Sequence, residues 1–153
     1  MLHTAIYRAP AGSVVVVQSG DLRAALAGGN VCAVAQENGI AGFVLDGLVR
    51  DMAEIRSRAF PVFARGTSPV TAAKDAVGTL NEPIDCGGVP VAPGDVIVAD
   101  EDGVLVVPRG NAARVLDAAR ARARRDASQS LEQWAADHRR RIEEALQRAG
   151  FSA

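Results

Sequence analysis

A short apolar run followed at once by charged residues constrains the fold of this chain more than any other feature. Residues 42–46, Gly-Phe-Val-Leu-Asp, are rich in side chains that favour buried β-strands. Gly47 then predicts an abrupt turn, because glycine adopts backbone conformations that other residues avoid. Arg50, Asp51 and Glu54 follow directly. The pattern predicts a buried strand with charged side chains grouped beyond its carboxyl end, which is where open α/β sheets bind ligands.

These three charged side chains have complementary chemistry. Arg50 carries a planar, permanently charged guanidinium that suits a carboxylate or an enolate oxygen. Asp51 offers hard oxygen to a divalent cation, and Glu54, about one helical turn later, would lie on the same face. The alternative is an ordinary surface pair, with Asp51 favouring the start of a helix.

Paired glycines precede another predicted helix. Gly28 and Gly29 interrupt the helical pattern of residues 22–38, and Asn30 is a competent N-cap from which a helix would begin. Free amides at such a start bind anions, so Gly28, Gly29, Asn30 and Val31 form a candidate anion site. The glycines could equally serve a turn and close packing.

The remaining pattern is β-rich at first and helical from Asn111 onward. Few helices separate the later strands, which argues against a doubly wound sheet. The predicted elements are a helix end at 3–12, strands at 13–18 and 61–64, a helix at 51–58, a loop at 65–71, short strands broken at 81–83 and 86–88, and a hairpin of strands 95–99 and 103–107. Beyond these, Ser130 with Gln133 predicts a capping box, and an amphipathic helix carries an apolar stripe of Leu131, Trp134, His138, Ile142 and Ala145/Leu146.

Charge and cysteine usage restrict the classes of partner. The formal net charge is −1, which gives no general electrostatic attraction to nucleic acid or to an anionic membrane. Arginines are frequent in residues 109–148, but the interleaved acidic residues favour a solvated helix face. Cys32 and Cys86 lack metal-binding spacing and are expected to be reduced. The sequence therefore predicts a soluble, cytoplasmic protein without a nucleic-acid or membrane partner.

Three stretches together resemble one known family. They are GGNVCAVAQENGIAGFVLDGLVRDMAE at 28–54, FPVFARG at 60–66 and PGDVIVADEDGVLVVP at 93–108. They resemble the RraA-like family, which contains regulators of ribonuclease E activity and class II 4-hydroxy-4-methyl-2-oxoglutarate aldolases. The resemblance implies an α/β fold, a layered β/β/α swivelling domain over residues 1–109 that is shortened at its N-terminus. It leaves residues 110–153 as a C-terminal helical extension, packed on the same domain or on a neighbouring subunit.

The resemblance also implies a reaction. The chain would be a lyase that cleaves a 4-hydroxy-2-oxo acid, or decarboxylates oxaloacetate, through a pyruvate enolate, with Mg²⁺ or Mn²⁺ as cofactor. Arg50 would be catalytic and would bind the substrate, and Asp51 would bind the metal. The amides of residues 28–31 would hold the substrate carboxylate. Asp46 would orient Arg50, unless it caps the turn at the end of the strand, and Glu54 would support Arg50 or a water at the metal.

Other implications of the resemblance are less direct. Lys74 would contact the substrate carboxylate, unless it is a surface lysine. Family aldolases typically carry an aspartate where this chain has Gly29, so metal binding is expected to depend more heavily on Asp51. The alternative function is a non-catalytic regulator that binds a ribonuclease or another protein partner. In both cases a homo-oligomer, a trimer or a hexamer, is expected.

Overall fold

The structure is a computed structural model that describes residues 1–73 and 78–151. It separates into two compact units, Met1–Arg109 and Gly110–Ala153. The first unit is a mixed α/β structure and the second is helical, which confirms the predicted fold class. No helix in the described ranges is both long and apolar enough to span a membrane.

A parallel sheet organises the first unit. Its strands are β1 (Val14–Gln18), β2 (Ala25–Ala27), β3 (Gly42–Val49) and β4 (Val62–Thr67). β3 is central: β1 pairs with its first half, β2 pairs with Leu48 and Val49 at its end, and β4 runs along its other edge. Because all these pairs are parallel, β2 and β3 end side by side, and the segments that follow them lie at the same edge of the sheet.

Helices α1 (Leu2–Arg8), α2 (Gly29–Glu37) and α3 (Met52–Ser57) enclose the main core with one face of the sheet. Phe43 of β3 and Cys32 of α2 are its largest fully buried side chains. Phe43 meets Phe60 edge-on, with the ring centroids 5.0 Å apart. The rest of this core is mainly aliphatic: Leu2, Ala5, Ile6, Val15, Ala27, Ala35, Ile40, Leu45, Val49 and Ile55. It gives the ends of β2 and β3 a rigid support.

Two antiparallel hairpins complete the first unit. β5 (Ile84–Cys86) pairs with β6 (Val89–Val91), and β7 (Val96–Asp100) pairs with β8 (Gly103–Val107). Gly87 and Gly88 both have positive φ angles, 64° and 85°, which suits a two-residue hairpin turn. The predicted hairpin at 95–107 is confirmed, and so is the break between two short strands at 86–88.

The second unit consists of α4 (Ala112–Ser128) and α5 (Leu131–Arg148), and a short 3₁₀ turn, Arg109–Asn111, precedes α4. Ser130 accepts a hydrogen bond from the Gln133 amide, and the Gln133 side chain accepts one from the Ser130 amide, so the predicted capping box is confirmed. Neither helix contains a buried residue in the part of the chain that the structure describes.

Four local predictions are wrong. β3 does not end at Asp46, and no turn occurs at Gly47: a Cβ there would lie 2.6 Å from Leu26 Cδ1, so this glycine permits the close approach of a neighbouring segment. The strand predicted at 61–64 extends to Thr67, which places Arg65 in β4 and not in a loop. Helix α2 begins at Gly29 with Gly28 as its N-cap, two residues before the predicted cap at Asn30. Part of the segment before it, expected as a connection, forms β2.

Candidate functional site

The ends of β2 and β3 bring the predicted site residues together. The Arg50 amide donates a hydrogen bond to the carbonyl of Ala27, with 3.0 Å between nitrogen and oxygen. This bond holds Arg50, which follows β3, beside Ala27, the last residue of β2. The start of α2 and the start of α3 therefore face each other, although they are separated by more than twenty residues in the sequence.

Asp51 has an unusual backbone conformation. Its φ and ψ angles are 60° and 40°, in the left-handed region that aspartate tolerates better than most residues. Its side chain does not cap its own helix α3. Instead, Oδ2 accepts a hydrogen bond from the Gly29 amide at 3.1 Å and lies 3.3 Å from Arg50 Nη1. The turn thus directs the carboxylate across to the first turn of α2.

Three side chains fill the space above the paired glycines. A Cβ at Gly28 would lie 2.9 Å from Arg50 Cγ and closer still to Asp51 Oδ2. A Cβ at Gly29 would lie 2.9 Å from Glu54 Cδ and would overlap its Oε2. With the side chains in these positions a Cβ at either glycine would clash, and at Gly29 the clash is mainly with the exposed end of Glu54, which can move. The carboxylate of Glu54 occupies the volume that a side chain at position 29 would need.

The predicted anion site is only partly available. The Gly29 amide already donates to Asp51. The next two amides, of Asn30 and Val31, belong to the first helical turn and have no acceptor within the helix. Their residues also line a cavity of about 1080 Å³, together with Gly28, Arg50 and the four valines of β1, Val14 to Val17. Asp51 and Glu54 are not among the lining residues, so Arg50 connects the cavity to the carboxylates.

Asp46 lies on β3 but has a different partner from the predicted one. It is 9% exposed and forms an ion pair with Nε of Arg65 on the adjacent strand β4. Sequence reasoning missed Arg65 because it was assigned to a loop. The available signal was Asp46 itself, since a carboxylate in a buried strand needs a cation nearby.

Both cysteines have thiol pKa values above the ordinary value. Burial, and to a smaller extent the charge of Asp51, raises the pKa of Cys32 to about 11. Burial, followed by the charge of Asp46, also raises the pKa of Cys86. Both thiols are therefore protonated at neutral pH, and neither is suited to act as a nucleophile.

Two further predictions concern Lys74 and the metal site. Lys74 lies outside the described residues. Within residues 1–73 and 78–151, no group of three or more His, Cys, Asp and Glu side chains could hold a metal ion unaided. A cation near Asp51 would need oxygen ligands from water or substrate, which is usual for Mg²⁺.

Comparisons with known proteins agree on one family for this chain. Residues 1–106 match the model of the RraA-like family, described as Aldolase/RraA. A protein of Halalkalibacterium halodurans named "Putative 4-hydroxy-4-methyl-2-oxoglutarate aldolase" is 46% identical over 117 residues. The match covers 76% of this chain and 56% of that protein, so the chain spans little more than half the length of this relative.

Solved structures of similar proteins carry a different functional description. The RNA-processing inhibitor RraA from Thermus thermophilis is 39% identical with a TM-score of 0.66, over 70% of this chain and 66% of that one. Streptomyces coelicolor RraAS2, described as an unusual member of the RNase ES inhibitor RraA protein family, is 31% identical with a TM-score of 0.75, over 82% and 65% of the two chains. The similar proteins thus include both an enzyme name and inhibitor names.

Proposed function

Since the chain belongs to the RraA-like family, we propose that it is a divalent-metal-dependent lyase. It would cleave a 4-hydroxy-2-oxo acid, or decarboxylate oxaloacetate, through the enolate of pyruvate. The observation that carries this proposal is the position of Arg50, which lines the cavity and whose guanidinium contacts the Asp51 carboxylate. A cation that lines a cavity and has a carboxylate beside it suits the binding of a 2-oxo acid.

The carboxylates at this edge of the sheet fit a Mg²⁺ or Mn²⁺ ion. Asp51 and Glu54 lie over consecutive glycines and offer hard oxygen atoms. We assign Asp51 as the metal ligand and Glu54 to a position beside it, where it would bind the ion or one of its waters. When bound, the ion would act as a Lewis acid on the developing enolate charge.

The chain's own groups would orient the substrate. The Asn30 and Val31 amides would hold its carboxylate, and Lys74 would add a second contact. The Gly29 amide keeps the Asp51 carboxylate in place. Arg50 would stabilise the enolate oxygen, because its charge is fixed at the end of β3 before the reaction begins.

A coupled assay tests this function directly. Pyruvate released from oxaloacetate would be measured with lactate dehydrogenase, with and without Mg²⁺. Mg²⁺-dependent release of pyruvate is the expected result. Several 4-hydroxy-2-oxo acids would then be compared as substrates.

The second candidate is a non-catalytic regulator that binds a ribonuclease or another protein. The descriptions of the two inhibitor structures favour it. No pyruvate from any oxo acid, with either metal, would favour the regulator over the lyase.

A further inference from the structure

Two carboxylates from the start of α3 meet over one residue of α2. Asp51 precedes α3, and Glu54 lies in its first turn. Asp51 Oδ2 accepts a hydrogen bond from the amide of the buried Gly29, with 3.1 Å between oxygen and nitrogen. A Cβ at Gly29 would lie 2.9 Å from Glu54 Cδ. Both carboxylates therefore contact the residue at which α2 begins.

These two carboxylates share one cation among the described residues. Arg50 Nη1 lies 3.3 Å from Asp51 Oδ2. Glu54 takes part in none of the ion pairs found in residues 1–73 and 78–151. One positive charge beside two negative charges leaves an excess of negative charge. A divalent cation held by carboxylate oxygens would neutralise it.

Gly29 gives Glu54 access to this position. The Glu54 carboxylate occupies the volume that a side chain at position 29 would take, because its Oε2 overlaps the place of a Cβ. Gly29 is not among the glycines with a positive φ angle, so its backbone conformation does not require glycine. An acidic side chain attached to α2 at this position would enter the same volume. Either helix could thus supply the carboxylate, and in this chain α3 does so.

We propose that Glu54 is the second protein ligand of the divalent ion, beside Asp51, and that an acidic side chain at position 29 can replace it. This inference rests on the metal dependence in the proposed function. Both protein ligands then come from the start of α3, three residues apart in the sequence. Two carboxylates leave the other coordination positions to water and substrate oxygen atoms, as is usual for Mg²⁺.

Mn²⁺ binding tests the assignment of Glu54 without measuring turnover. Free Mn²⁺ would be measured by electron paramagnetic resonance, with pyruvate present to supply substrate oxygen atoms. Glu54→Gln keeps the shape of the exposed side chain and removes its charge, so the Mn²⁺ dissociation constant should rise about tenfold or more. Glu37→Gln, at the other end of α2, is the control for loss of one negative charge.

A carboxylate exchange between the two helices tests the equivalence of positions 29 and 54. Glu54→Ala should weaken Mn²⁺ binding as Glu54→Gln does, and Gly29→Asp/Glu54→Ala should recover most of the loss. Gly29→Asn/Glu54→Ala is the matched control, because asparagine has the shape of aspartate without its charge. Its Mn²⁺ binding should remain weak. Circular dichroism and thermal unfolding would show whether each variant is folded.

Three results would overturn the proposal. The first is wild-type Mn²⁺ affinity in folded Glu54→Gln. The second is recovery by asparagine as well as by aspartate, which would attribute the effect to packing. The third is no recovery in folded Gly29→Asp/Glu54→Ala.

Failure of this inference and failure of the lyase activity give different results. Mn²⁺ binding that depends on Glu54, without pyruvate release from any oxo acid, would support the inference and refute the lyase. Metal-dependent pyruvate release, with unchanged Mn²⁺ affinity in Glu54→Gln, would support the lyase and refute the inference. A wild type that binds no Mn²⁺ would refute the inference together with the metal dependence.

Discussion

At the scale of single residues, the candidate site depends on contacts between two glycines and the side chains above them. Gly28 leaves room for Arg50 and Asp51, and Gly29 leaves room for Glu54. Asp51 reaches the Gly29 amide only because its backbone is in the left-handed region. Each of these features predicts the effect of a particular substitution.

Arg50→Ala should remove most pyruvate-forming activity and leave the fold intact. The side chain is 36% exposed and follows β3, outside the core, so its loss creates no cavity. Removing one pre-positioned charge from an enolate site costs about 3 kcal/mol, or roughly a hundredfold in kcat. The coupled assay and thermal unfolding would be run beside Arg56→Ala, which removes an exposed arginine from α3. Near-normal turnover of Arg50→Ala would refute the assignment of Arg50.

Asp51→Asn should weaken metal dependence more than it affects thermal stability. Asparagine tolerates the left-handed backbone and can still accept the Gly29 hydrogen bond, but it lacks the charge. We expect the metal concentration at half-maximal activity to rise by about tenfold or more. Glu37→Gln, at the other end of α2, is the control for loss of one negative charge. An unchanged midpoint in Asp51→Asn would mean that the ion is held elsewhere.

Gly29→Ala should destabilise the first unit. Its Cβ would overlap the exposed Glu54 carboxylate and lie 3.0 Å from Glu54 Cβ, so Glu54 must shift, at a cost of about 1 kcal/mol, the low end of overpacking. Because Glu54 is exposed, removing its side chain should relieve the strain, so Gly29→Ala/Glu54→Ala should recover much of the stability. Denaturant unfolding of the four proteins in this cycle would measure the coupling between the two positions. Additive effects would contradict the overlap.

At the scale of secondary-structure elements, local hydrogen bonds fix how the chain enters and leaves the β7–β8 hairpin. Asp95 precedes β7, and its carboxylate accepts hydrogen bonds from the amides of Ala92 at 2.9 Å and Arg109 at 3.0 Å. Arg109 follows β8, so one side chain links both ends of the hairpin. These amide bonds lower the pKa of Asp95 below its usual value.

This lowered pKa predicts a small pH dependence of stability. As pH falls, the unfolded chain protonates Asp95 first, at its ordinary pKa. The stabilisation is therefore complete above that ordinary pKa, and it is lost as pH falls through the lower pKa of the folded state. Asp95→Asn should reduce the loss of melting temperature between about pH 5 and pH 2. Glu101→Gln, in the β7–β8 turn, is the control; equal acid sensitivity in wild type and Asp95→Asn would contradict the role of Asp95.

At the scale of the whole molecule, we expect a trimer or a hexamer with the Arg50 region close to a neighbouring chain. The sequence is poor in large aromatic residues, and α5 exposes Leu131, Trp134, Ile142 and Leu146 in a single chain. Light scattering should give three or six times 15.9 kDa. A mass near that of one chain at micromolar concentration would refute the assembly and the proposal that a second subunit completes the site.

Much of the fold could be predicted because its signals are local. The β7–β8 hairpin follows from two β-prone runs around a short turn, and the capping box follows from Ser130 and Gln133 three residues apart. The sequence also placed Arg50 and Asp51 beyond a buried strand. These features depend on residues a few positions apart, whose preferences are visible in any window of the chain.

The tertiary structure alone decided the details of the candidate site. Gly47 predicts a turn from its own preference, but it lies within β3, where its missing side chain leaves room for Leu26. Asp46 pairs with Arg65 because β3 and β4 are neighbours, and Asp51 meets Gly29 because β2 and β3 end together. Each of these contacts joins residues about twenty positions apart. No local pattern specifies such a distance, because it is set by how the strands pair and how the helices pack on them.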